Sequence, residues 1–274
     1  MLKFGMPTLI EAASLEQCAA LCHKLSLDFI ELNMNLPQYQ LNIINAAYFR
    51  SVAEKNGIFY TIHLDENLNV SDFNPAVAAA YTETVLQTIT LAKQLHVPLL
   101  NMHLSRGVYF TLPDRKVYLF SEYKEQYLAS LIAFRDACEQ AIGDADIKIC
   151  IENCSGWQDF QKEALEILLA SPVFSLTLDI GHNHGSGGSD GAYILSHCDR
   201  LAHMHMHDAI GKKDHLPLGT GELDIQGFFA LAKTSCRTVV LETKTVAGLE
   251  ASVARLHSHF LPQLTVDLAD STVG

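Results

Sequence analysis

The chain has 274 residues, 49% apolar and 18% charged, enough to bury a sizeable core as a globular protein. Nineteen basic against thirty-one acidic residues leave a formal charge of −12, which argues against nucleic acid and anionic membranes as partners, and no basic patch offsets it. No apolar run approaches the ~20 residues of a membrane span, no signal-peptide core opens the chain, and the seven cysteines form no CxxC pair, so reduced thiols and a cytoplasmic location are expected.

In chain order, short β-rich stretches alternate with segments of helical period. "KFGMPTL" reads as a strand and is followed by "SLEQCAALCHKL", a helix whose Ser14 and Gln17 fit a capping box. Cys18 and Cys22 on that helix are simplest as small apolar residues. "DFIELNMN" and "FYTIHL" are the next strands. "NPAVAAAYTETVLQTITLAKQLH" opens with Asn74 as N-cap and Pro75 in the first turn, and is predicted helical. "LLNMHL" precedes a second long helix, "SEYKEQYLASLIAFRDACEQAIG", stopped by Gly143. "KICIENC", "FSLTLDIG", "LAHMHMHD" and "TVVLETK" complete a set of eight strands. Regular alternation of strand and helix predicts a parallel sheet. Eight repeats over this length predict a single α/β domain, a (β/α)8 TIM barrel over residues 1–274, with a frayed "DLADSTVG" tail. An open doubly wound sheet is the runner-up, weakened by the lack of a GxGxxG after the first strand.

Active sites of such barrels sit at the C-terminal ends of the strands. Those ends carry Glu31 or Asn33, His63, His103, Glu152, Asp179, His205 or His207, and Glu242. Carboxylates converging on one barrel axis are costly to bury unpaired, and a divalent cation resolves that cost. In "LAHMHMHD" the three histidines share one strand face. His205 or His207 is the strand-end candidate, His203 reads as a hydrogen-bonded core residue one layer deeper, and His207 as a residue near the tip, placed to contact substrate. Asp208 and Asp224 read as loop or N-cap residues, and "GTGELD" as a flexible segment that brings His215 over the mouth. Trp157 is either packing or pocket wall. In "SRGVYFTLPDRKVYLF", Arg106 and Arg115 are either anion holders or solvated.

This pattern resembles the xylose isomerase-like TIM barrels, which include sugar and sugar-phosphate isomerases and epimerases together with endonuclease IV-type apurinic endonucleases. For the ketose 3-epimerase branch the resemblance implies one divalent cation (Mn, Co, Mg or Zn) held by Glu152 in "CIEN", Asp179 in "LDIGH", His205 in "HMHMHD" and Glu242 in "LETK". It further implies Glu152 and Glu242 as catalytic acid and base on a small sugar, sugar phosphate or related polyol, acting through an enediolate. His182 then hydrogen-bonds substrate, while His63, His103 and His207 shape the pocket and complete the substrate-binding set. The endonuclease branch implies a multi-zinc phosphodiesterase, with His63, His103, His182 and His215 as further ligands. Against it, Lys213 stands where that branch has an aspartate, and Asp65 and Glu66 would face DNA. Dehydratase or aldolase chemistry on the same residues and a non-catalytic sugar-binding barrel are the remaining readings. Homo-oligomer formation is left open.

Overall fold

The computed structural model describes residues 2–154 and 156–260. The tail expected to fray lies outside them. Eight parallel strands form one closed barrel: β1 Lys3–Pro7, β2 Phe29–Asn33, β3 Phe59–His63, β4 Leu99–His103, β5 Lys148–Glu152, β6 Phe174–Asp179, β7 Leu201–Met206 and β8 Thr238–Leu241. They follow one another around the ring in sequence order, and β8 returns to β1 with Thr238 opposite Lys3 and Val240 opposite Gly5. The eight strands expected from the sequence are the eight staves of the barrel.

The crossover helices begin where side chains can replace missing backbone partners. Ser14 Oγ accepts from the Gln17 N–H at 3.3 Å, and Asn74 Oδ1 accepts from Ala76 N–H at 3.1 Å ahead of the helix Pro75–Leu95. The Gln17 side chain reaches back to the Ala13 N–H rather than to Ser14, so the expected capping box is offset by one residue. The helix expected from Ser121 is broken at Tyr123, whose backbone (φ −106, ψ 44) separates Leu119–Glu122 from Lys124–Ile142.

Alternation along β3 to β7 sets what faces which way. Ile62, Met102, Ile151, Leu178 and Met204 are at most 1% exposed and belong to the apolar core beneath the helices. The residues between them, Thr61, His63, Asn101, His103, Glu152, Thr177, Asp179, His203 and His205, make their contacts inside the barrel. The C-terminal half of this barrel is therefore apolar outside and polar inside. Register does the rest: His103 is level with Glu152 across β4–β5, and Asp179 is level with His205 across β6–β7.

Candidate metal centre

His205 is the hub. Its Nδ1 lies 3.0 Å from Glu242 Oε2, 3.4 Å from Glu152 Oε1 and 3.8 Å from Asp179 Oδ2. All four residues are buried, Glu242 just beyond the end of β8. Burial favours the protonated acids, yet the His205 imidazolium outweighs it and holds Glu152 and Glu242 well below the usual carboxylate range. The same burial opposes charge on His205, which Glu152, Glu242 and Glu31 nonetheless hold well above the usual imidazole range.

The residues fit a divalent cation. Three carboxylates and one imidazole are the mixed O and N donor set that such ions take. Glu152, Asp179 and His205 offer ligand atoms within 4.8 Å of one another. Among the described residues, His205 Nδ1, His205 Nε2 and Glu242 Oε2 are buried without a hydrogen bond of good geometry, and a cation at Nδ1 would take the place of the imidazolium proton there.

Further histidines ring this cluster. His63 Nε2 and His103 Nε2 lie 3.2 and 3.3 Å from Glu152 Oε2. Burial pulls His63 down, but the hydrogen bond and charge of Glu152 win and lift it to about 9. His182 lies 3.4 Å from Glu152 Oε1 and 3.6 Å from Asp179 Oδ2, and against its burial these two carboxylates lift it to about 9 as well. His215 comes over the mouth as expected, its Nε2 3.7 Å from Glu242 Oε1 and its Nδ1 2.8 Å from Asp214, on a backbone of φ 55.

His207 is not a rim residue. It is wholly buried, its ring stacked on His215 at 4.3 Å, because the following segment folds back over it. The His215 backbone N–H donates to His207 Nδ1 at 2.7 Å, so the ring proton sits on Nε2 and is directed at both Asp179 oxygens, 3.2 Å away. Both nitrogens are engaged within the protein, and the expected contact with substrate gives way to support of Asp179. The segment itself is not flexible either. Asp208 accepts backbone N–H groups from Ala209, Gly221 and Leu223 at 2.9, 2.8 and 3.2 Å.

His203 is the core histidine expected of it, bonded to Thr238 and Glu31. Asp224 caps the helix Ile225–Ser235 as expected. Trp157 packs edge-on against Tyr193 at 5.7 Å, which makes it a packing residue. Arg115 is exposed and pairs with its neighbour Asp114, whereas Arg106 reaches the Gly156 carbonyl at 3.4 Å.

Asn153 and Asn101 of the centre escaped the sequence reading. Asn153 stitches β5 to β6, accepting from the Asp179 N–H at 2.8 Å and donating to the Asp179 carbonyl at 3.0 Å. Asn101 donates to Glu152 Oε2 and accepts from Thr177 at 2.6 Å. Lys244 Nζ sits 2.7 Å from Glu242 Oε1, and that carboxylate raises the lysine against its burial. The signal for the inner layer is period two: Thr61, Asn101, Thr177 and His203 each stand two residues before a polar strand end.

Comparison with known proteins agrees with this architecture. The family profile described as "Xylose isomerase-like TIM barrel" matches residues 19–259. An uncharacterised protein of Methanocaldococcus jannaschii is 25% identical over 214 residues, 75% of this chain and 79% of that one. A D-tagatose 3-epimerase-like protein superposes with a TM-score of 0.79 at 19% identity, covering 97% of this chain and 99% of the other. A D-allulose 3-epimerase from Methylomonas sp. gives 0.71 at 18% identity, covering 94% and 97%. With a closed eight-stranded parallel barrel and a profile match across most of its length, the chain belongs to the xylose isomerase-like TIM barrel family.

Proposed function

We propose that the protein is a divalent-metal-dependent isomerase or epimerase of a small sugar or related polyol, built as one domain over residues 1–274. The observation that carries this is the meeting of Glu152, Asp179, His205 and Glu242, with His205 Nδ1 and Glu242 Oε2 left without hydrogen bonds. Solved sugar epimerases of the same fold support it. A cation (Mn, Co, Mg or Zn) held by these four residues would polarise a carbonyl and make the neighbouring C–H more acidic. Glu152 and Glu242 then act as the acid–base pair, one taking the proton from carbon and the other returning it, through an enediolate. His63 and His103, on Glu152 Oε2, and Lys244, on Glu242 Oε1, favour the carboxylate of whichever glutamate takes the proton from carbon, while the other must enter the step protonated in order to return one. His182 and His103, each partly exposed, are the imidazoles placed to bond substrate hydroxyls.

The test is solvent-deuterium incorporation. Incubation of metal-loaded enzyme with ketoses in D2O is expected to place deuterium on the carbon next to the carbonyl. Glu152→Gln and Glu242→Gln are expected to lose that exchange by at least 10²-fold, the usual worth of a positioned acid or base. Full exchange in either variant refutes the assignment.

A second reading is favoured by two of the three further groupings of candidate ligands, His63–His103–Glu152 and His207–His215–Glu242, the third being Glu31–His203–His205 in the layer below. The first two would suit a multi-zinc phosphodiesterase. The engagement of both His207 nitrogens and Lys213 in place of a carboxylate weigh against it. One cation per chain by elemental analysis supports the isomerase, whereas two or three zinc ions per chain move the reading to hydrolysis.

A further inference from the structure

Beneath the centre lies a carboxylate with no part in the chemistry above. Glu31, on β2, is 2% exposed and extends across the barrel to β7, although β1 and β8 stand between those strands in the ring. Its Oε1 lies 2.9 Å from His205 Nε2, and its Oε2 lies 3.1 Å from His203 Nε2. Two threonines at matching register close the chain of contacts: Thr61, opposite Glu31, donates to Oε2 at 3.0 Å, and Thr238, opposite His203, lies 2.6 Å from His203 Nδ1.

These partners dictate proton positions. A carboxylate only accepts, so each imidazole turns its Nε2 proton to Glu31, His203 in a hydrogen bond and His205 in an ion-pair contact of 2.9 Å that lies outside hydrogen-bond angles. His203 Nδ1 therefore accepts from the Thr238 hydroxyl. His205, with Nε2 spent on Glu31, has Nδ1 left over, and Nδ1 is the atom that faces Glu152, Asp179 and Glu242. An imidazole in the other tautomer would present an N–H, not a lone pair, to a cation.

Resting on the metal-site reading above, we propose that Glu31 is the positioning residue of the centre: a buried carboxylate that fixes His205 with Nδ1 free for the cation, with His203 and Thr238 bracing it from behind. Histidine ligands are commonly held by a carboxylate in this way, and loss of such a partner weakens metal binding ~10- to 100-fold. Glu31→Gln is the discriminating change, because an amide can accept at one end only. Its NH2 end must face one of the two imidazoles and force that ring to surrender its proton.

The experiment is a calorimetric Mn2+ titration of the apoprotein, with Glu31→Gln beside the wild type, and melting temperatures recorded for both. The expected result is an Mn2+ dissociation constant raised 10- to 100-fold in Glu31→Gln, with stoichiometry unchanged. An unchanged dissociation constant alongside a lowered melting temperature would make Glu31 a structural residue and overturn the proposal. Should Glu31→Gln fail to fold, 15N shifts of histidine-labelled, Zn2+-loaded wild type decide the matter. His205, assigned by its loss in His205→Gln, is expected with Zn2+ on Nδ1 and the proton on Nε2, and the opposite pattern overturns the proposal. A wild type that takes up neither Mn2+ nor Zn2+ brings down the metal reading itself, an outcome distinct from either.

Discussion

At the scale of the residue, the tightest fit around the centre is a glycine against an imidazole. A methyl group built on Gly181 would meet His207 Cε1 at 2.0 Å, so only a residue without Cβ lets His207 reach Asp179. Gly181→Ala must push the ring off that carboxylate or shift the helical turn Ile180–Gly185. Denaturant unfolding is expected to show a loss of about 1–3 kcal/mol, the usual cost of forcing an atom into a packed interior. Metal affinity should fall with it. That histidines 203, 205 and 207 share a face was legible from their spacing, and so was the deeper place of His203. The depth of His207 was not, since it depends on a segment returning from residue 215 to cover it.

At the scale of the element, the segment after β7 shows why glycine content misleads. "GTGELD" reads as freedom, yet a Cβ on Gly221 would lie 2.2 Å from Asp208 Oδ1. That glycine allows the backbone to press against a buried carboxylate. The hairpin Asp208–Ile210 with Lys213–Leu216 is further tied by Glu222, which accepts from the Gly211 N–H at 2.8 Å and meets His184 at 2.8 Å. Asp208→Asn leaves one acceptor oxygen and turns an NH2 group toward a backbone N–H. A cost of about 1–3 kcal/mol is expected for the donor left unsatisfied, read as faster limited proteolysis between residues 209 and 223. The strands and long helices were legible because their hydrophobic periods are strong. This clamp was not, because its partners are thirteen and fifteen residues apart with no pattern between them.

At the scale of the whole molecule, the apoprotein holds many opposed charges in a small volume, and its stability should follow pH accordingly. His63 and His182 rise from 6.5 to about 9 in the folded state, so their contribution is complete below pH 6.5 and is lost as pH climbs through about 9. Glu152 and Glu242 fall below 4.5 on folding, so theirs is present above that value and is lost as the medium turns more acid. Melting temperatures of chelator-treated protein are expected to be highest between about pH 4.5 and 6.5 and to decline toward pH 9. Added Mn2+ should flatten the alkaline decline, because the cation replaces the protons that the cluster otherwise needs. A melting temperature that rises steadily from pH 6.5 to 9 without metal would contradict this. The closed barrel and the ring of polar strand ends were legible as eight repeats and their polar termini. The layer below them was not, because threonine and asparagine inside a strand look ordinary until the barrel closes around them.

The pairing of β8 with β1 joins the last strand of the ring to the first. Glu242 follows β8, and Glu31 comes from the far side of that joint to grip β7. During synthesis, a ribosome that has released residues 1–230 has delivered every other member of the cluster, but the hoop is still open and one anion short. On the metal-site reading proposed above, loading of the cation would then be the final act of maturation, and a polypeptide cut short before its last stave would meet the ion with one carboxylate fewer.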